Sequence, residues 1–159
     1  MIPRNRTPFI LLLFFALGAC SGDERFSAPD VRKEADGREY YVREIVLDQE
    51  SARGLRPGRN SPEAAVVHFF ASMIRKDNAF REVMPADPQN WECDERTIEK
   101  YRQWTFHQIR LKYRKEYSPG RYWISLYMEV EFKGEIDRGE DDVTVRNING
   151  KWYVIDPPT

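Results

Sequence analysis

The side chains able to carry chemistry are few and scattered. The chain holds two cysteines, Cys20 and Cys93, and two histidines, His68 and His107. Zinc sites take Cys and His ligands at short, paired spacings, and positions 68, 93 and 107 offer none, so no metal or other cofactor is expected. The sequence contains no Gly-rich phosphate loop and no G-x-S-x-G nucleophile elbow. Cys93 stands among Glu92, Asp94 and Glu95, whose charges oppose a thiolate, while a helix beginning near Asp94 would favour one. It reads as a half-buried structural thiol. Cys20 stands apart because it closes a long apolar run.

These groups must be positioned by a modest amount of chain. With 159 residues, 41% hydrophobic and 13% aromatic, the composition suits one packed domain with a tail. Lys and Arg number 25 against 26 Asp and Glu, so the basic footprint of a dedicated nucleic-acid binder is missing. Nucleic acid is not an expected partner.

Arg4 and Arg6 precede the apolar stretch Phe9–Leu17, which is long enough for the core of a signal peptide and well short of the roughly 20 residues that span a bilayer. It ends on Leu17-Gly18-Ala19-Cys20. This box resembles that of bacterial lipoproteins. The resemblance implies that residues 1–19 are a signal peptide cut off before Cys20, that the Cys20 thiol carries a diacylglyceryl thioether, and that its new amino group is acylated. Several acyl chains anchor stably where one binds marginally, so the membrane would be a partner through Cys20 without any spanning helix. Ser21 stands where an aspartate commonly retains such proteins at the inner membrane, which favours the outer membrane of the cell envelope. Lipidation leaves Cys93 without an intramolecular partner, so no disulfide is expected.

Residues 20–60 read mostly as a flexible tether. SGDERFSAPDVRKEADGR, residues 21–38, is charged and broken by Gly and Pro, and as a coil it would span about 20–25 Å. EYYVREIVL, residues 39–47, fits neither the helical nor the strand period and stays open between a strand and a docked helix.

The domain is placed at 61–159. Ser61 as N-cap, Pro62 at the first helical position and Glu63 in the first turn signal a helix. Its apolar face carries Val66, Phe69, Phe70, Met73 and Ile74, with His68 and Ser72 opposite and expected in solvent. A short turn with Phe80, Val83 and Met84 follows, then a helix capped by Asp94 that presents Ile98, Tyr101 and Trp104. The period then becomes two. Ile109, Leu111 and Tyr113 alternate with Arg110, Lys112 and Arg114, and Tyr122 to Phe132 alternate likewise. A turn at 118–121 would pair Ile109 with Val130, Leu111 with Met128, Tyr113 with Leu126 and Arg110 with Glu129. Asn149-Gly150 marks a final two-residue hairpin with Val143, Val145, Trp152 and Val154 on one face and Arg146 opposite Tyr153 as a cation–π pair.

N-terminal helices packed on a curved antiparallel sheet of at least four strands make an α+β fold. From Ser61 to Asp156, the opening S-P-E-A-A-V-V-x-F-F, Asp77 at the helix end and the closing N-G-K-W-Y-V-I-D resemble the nuclear-transport-factor-two-like cone fold. Ketosteroid isomerases, SnoaL-type polyketide cyclases and many bacterial lipoproteins share that fold. The resemblance implies an apolar cavity at the open end of the cone, lined here by Phe69, Phe70, Tyr101, Trp104, Tyr113, Tyr122 and Trp152, each of which also suits plain core. Isomerase chemistry would need a carboxylate base in that cavity and an acid or phenol donor. Asp77, His107, Asn147, Asp156 and Tyr101 supply the residue types but form no constellation in the sequence.

The expectation is therefore a lipid-anchored envelope module that binds a protein or a small apolar ligand, or scaffolds, without catalysis. The alternatives are an isomerase- or cyclase-like enzyme with a pocket carboxylate and a purely structural lipoprotein.

Overall fold

The computed structural model describes residues 24–158. The signal segment, Leu17, Gly18, Ala19 and Cys20 lie outside the described residues. Six strands form one antiparallel sheet in which every neighbour in sequence is a neighbour in space: β1 (Val31–Lys33), β2 (Glu39–Asp48), β3 (Thr105–Ser118), β4 (Arg121–Phe132), β5 (Glu135–Ile148) and β6 (Lys151–Asp156). A short helix α1 (Glu24–Ser27) precedes them, and the helices α2 (Pro62–Arg75) and α3 (Glu95–Gln103) fall in the connection from β2 to β3. The α+β class and the antiparallel sheet agree with expectation, but two strands precede the main helices.

That order corrects the tether. Residues 39–48 are a strand with Leu47 opposite Ile109 and Ile45 opposite Leu111, all four buried. Phe26, inside the supposed coil, is 5% exposed, and its carbonyl accepts a hydrogen bond from Ser61 Oγ. Charged residues concealed the docking because only a few apolar side chains in the segment do the packing.

Helix α2 begins as its sequence dictates. Ser61 Oγ accepts from the Ala64 amide at 2.9 Å, Pro62 opens the first turn, and Lys76 ends the helix in the left-handed conformation with φ 60°. It lies against β2, β3, β5 and β6 on one side and the 3-10 turn Ala79–Val83 on the other. Every residue from Pro62 to Ile74 is buried, which corrects the expectation of a wet face. His68 is 2% exposed, and its Nδ1 accepts from the Gly58 amide at 3.1 Å. The run 61–74 has only Glu63 and His68 as ionisable residues, and a helix apolar nearly all round is an interior helix.

The β3–β4 turn does join Ser118 to Arg121, but irregularities at Phe106/Gln108, Leu111/Tyr113 and Glu116/Ser118 shift the register. Ile109 faces Met128, Leu111 faces Leu126, Tyr113 faces Ser125 and Arg110 faces Tyr127, instead of the pairs expected. Each extra residue in one strand reverses which face the following side chains occupy. Beyond the Leu111/Tyr113 bulge, Arg114 therefore joins the core face opposite Ile124, and Tyr113 goes to the outer face. The last hairpin keeps its expected register from Val145 to Ile148, and an irregularity at Thr144/Val145 then sets Thr144, instead of Val143, opposite Asp156. Asn147 faces Trp152, Arg146 faces Tyr153, and Asn149 and Gly150 turn with φ 53° and 79°. The guanidinium over the Tyr153 ring, however, is that of Arg59, at 4.9 Å, while Arg146 bonds Asn90.

Candidate functional site

Two polar clusters in the interior, apart from His68 and Ser72 on α2, hold groups with chemistry to offer. The first sits where β2, β3 and the start of α2 meet. Glu63 is fully buried, and its Oε1 accepts from Arg114 Nη1 at 2.8 Å and Tyr41 Oη at 3.0 Å. Arg114 Nε also donates to Glu39 at 2.7 Å, and its guanidinium lies 5.3 Å from the centre of the Tyr122 ring. Burial works against the Arg114 charge, but Glu63 and Glu39 outweigh it and raise its pKa. Tyr41 is held well above the ordinary phenol value by burial and then by Glu63. The cluster is a fixed ion network that clamps two strands to a helix, and Glu63 Oε2 is buried without a hydrogen-bond partner.

The second cluster surrounds Tyr101 on α3. Asp94 Oδ1 accepts from the Thr97 amide at 2.9 Å and sets the helix start, which turns Ile98 and Tyr101 inward. Tyr101 is 2% exposed, and its hydroxyl has no hydrogen-bond partner. Burial raises its pKa, and Asp141, Asp156 and Cys93 add to the rise. Asp141 reaches this place because it lies opposite Leu126 on the core face of β4 and β5. The Glu92 amide donates to the Ile155 carbonyl at 2.7 Å, which holds Cys93 near Asp156 at the end of β6. Burial, then the like charge of Asp141, raises the Asp156 carboxyl, with Arg121 opposing. Cys93 is pushed up to about 11 by burial and by Asp156, so its thiol stays protonated. A buried phenol within the electrostatic reach of a carboxyl of raised pKa supplies the group types of acid–base chemistry, although no hydrogen bond joins Tyr101 to Asp156.

The structure brings Phe69, Phe70, Tyr101 and Trp104 into one cluster around Phe106 and leaves Asp77, His107, Tyr113 and Trp152 elsewhere. Phe69 and Phe70 are fully buried, in edge contacts with Phe80 at 6.1 Å and Phe106 at 5.8 Å respectively. Tyr101 and Trp104 meet at 5.1 Å and join Phe106. Tyr113 lies on the other face of the sheet, 5.2 Å from Tyr40. Trp152 packs on Tyr122 at 5.5 Å, beside the Arg114 network.

Asp77 is committed to the link between α2 and the 3-10 turn. Its Oδ1 accepts from Ser72 Oγ at 2.5 Å and the Ala79 amide at 2.9 Å, and its Oδ2 from Arg75 Nε at 2.7 Å. Burial alone would raise its pKa, yet the Arg75 and Ser72 hydrogen bonds bring it down to about 2. His107 is partly exposed and lies 2.9 Å from Glu131. Among the described residues no group of His, Cys, Asp and Glu is arranged to hold a metal ion.

A cleft of about 400 Å³ opens between α1, residues 28–30 and the middle of β2, lined by Phe26, Pro29, Asp30, Arg43 and Ile45 among others. Sequence reasoning missed Tyr41, Glu39, Arg114 and Asp141. Only Glu63 gave a signal, as an acidic residue inside an apolar helix.

Compared with protein families, curated proteins and solved structures, the chain matches none.

Proposed function

We propose that the chain is a lipid-anchored bacterial envelope protein whose domain is a non-catalytic binding or scaffolding module for an envelope protein or a small apolar ligand. The observation that carries this is the order basic flank, apolar run, Leu17-Gly18-Ala19-Cys20, in a chain whose first described element, α1 at Glu24, stands four positions after the cysteine. The outer membrane is the favoured site because Ser21 follows the cysteine. Among the described residues no helix is long and apolar enough to cross a membrane, so attachment in this account falls to Cys20. A cone-like sheet around α2 is part of the same proposal, supported by the bulges in β2 and β3, which bend and twist strands.

Expression in a Gram-negative host with labelled palmitate tests it. Label and membrane association in the wild type, both lost in Cys20→Ala, support the proposal. Unlabelled wild-type protein in the soluble fraction contradicts it.

A second reading, an enzyme with a pocket carboxylate, is favoured by Asp156 within electrostatic reach of Tyr101. Turnover of an apolar carbonyl compound that falls with both Asp156→Asn and Tyr101→Phe would support it. Co-purification of an unaltered lipid or protein partner, without turnover, would support the binding module.

A further inference from the structure

One end of the domain is suited to a lipid surface. Three hairpin ends, 32–38, 115–121 and 146–151, each a turn with the strand residues that flank it, come together there. The Asn147 amide donates to the Gly120 carbonyl at 2.8 Å, and a Cβ on Gly37 would stand 3.8 Å from Lys115 Cε. These hairpin ends, strand residues included, carry seven basic side chains against three acidic, with Glu92 drawn onto Arg121. At their corner Tyr117 and Trp123 stack at 4.4 Å with planes 22° apart, although they are 37% and 42% exposed. Stacked aromatics left in solvent beside cations match the interface of an anionic bilayer, where Trp and Tyr rings sit at headgroup level.

The opposite end differs. Residues 129–142 carry seven acidic side chains against two basic, so Phe132 and Ile136, although exposed, stand among charges that an anionic surface repels.

The start of the described chain lies between the middle of β2 and the favourable end. The Phe26 carbonyl is bonded by Ser61, the Arg59 carbonyl by the Trp152 amide at 2.9 Å, and Lys151 Nζ reaches Asn60 at 3.1 Å, which ties α1 and the start of α2 to the last hairpin. From Cys20 to Glu24 four residue steps reach at most about 14 Å. With Phe26 buried, a lipidated Cys20 would keep Glu24 within about 14 Å of the thioether.

We propose that this basic and aromatic end lies on an anionic bilayer, with Trp123 and Tyr117 at the headgroups and the acidic β4–β5 hairpin pointing outward. The proposal deepens the envelope assignment and rests on lipidation of Cys20. The test uses full-length protein purified with its native anchor and placed in phosphatidylcholine vesicles with or without phosphatidylglycerol, containing lipids brominated near the headgroup. Tryptophan quenching is expected in the anionic vesicles, greatly reduced in Trp123→Phe and weakened in Lys115→Glu/Lys151→Glu. Quenching that is absent, or equal in wild type and Trp123→Phe, overturns the docking while leaving the anchor intact. If mass analysis finds Cys20 unmodified, the anchor assignment fails instead. The same quenching, measured on that protein mixed with the vesicles, still decides the docking.

Discussion

Arg114 Nη1 stands 2.8 Å from Glu63 Oε1, joining the middle of the sheet to the first turn of α2 through a carboxylate with no exposed surface. Removing one member of such a pair strands the other charge, whereas apolar replacement of both is tolerated. Arg114→Ala is expected to lower unfolding free energy by about 3 kcal/mol in urea denaturation, and Arg114→Met with Glu63→Leu to recover most of it. Equal stability of Arg114→Ala and wild type would show the network to be idle.

The N-terminal segment belongs to the folded unit. Phe26 fills the core above Ile45, and truncating a buried phenylalanine costs about 3–5 kcal/mol. Phe26→Ala should fall at the lower end of that range by thermal or urea melting. A chain starting at Ser61 should fail to fold, because β3 would lose β2 and Ile109 and Leu111 their cover. A cooperative melt from that truncated chain would restore the tether.

Stability should decline in two steps on acidification. Burial lowers the folded pKa of His68, with Glu82 partly opposing, below the ordinary value of about 6.5. The unfolded chain therefore takes up the proton first, and the contribution of neutral His68 is intact above about pH 6.5 and lost as pH falls below it. Asp77 shifts from 3.8 to about 2, so its contribution persists above 3.8 and disappears as pH falls towards 2. Denaturation midpoints against pH should lose the upper step in His68→Gln and the lower in Asp77→Asn. A flat wild-type profile between pH 7 and 5, at about that range, would contradict the His68 assignment.

Tyr101 provides a sharper test of the second cluster. Its hydroxyl is buried without a partner, and an unpaired buried polar group costs about 1–3 kcal/mol. Tyr101→Phe should therefore be as stable as wild type or more so. A loss of stability would mean that the hydroxyl is bonded in solution, by water or by a bound acceptor, and would make the site a ligand site.

Local chemistry was legible in the sequence where it acted over a few residues. Ser61, Asp94 and Asn149-Gly150 set a helix start, a second helix start and a hairpin by bonds made within three or four positions. What depended on distant partners was not. The charges between Ser21 and Arg38 concealed that Phe26 docks and that β1 pairs with β2, and the 39–47 segment needed β3 to become a strand. One bulge after Leu111 reversed Tyr113 and Arg114, so the expected pocket lost an aromatic and the core gained a cation. No period in the sequence marks such an insertion. His68 was misplaced because a helical wheel divides faces even when, as in 61–74, nearly the whole circumference is apolar. The acid–base candidates fared unevenly. Asp77 bonds Ser72, Arg75 and the Ala79 amide in the link after α2, while Asp141 and Asp156 act electrostatically on Tyr101 from β5 and β6.

Intact-mass analysis of the protein extracted from membranes of its native host decides whether Cys20 is the lipid anchor. A chain beginning at Cys20 and heavier than its peptide mass by a diacylglyceryl group and a further acyl chain is the expected result. A species retaining Met1–Ala19, or a Cys20 free of lipid, would contradict it.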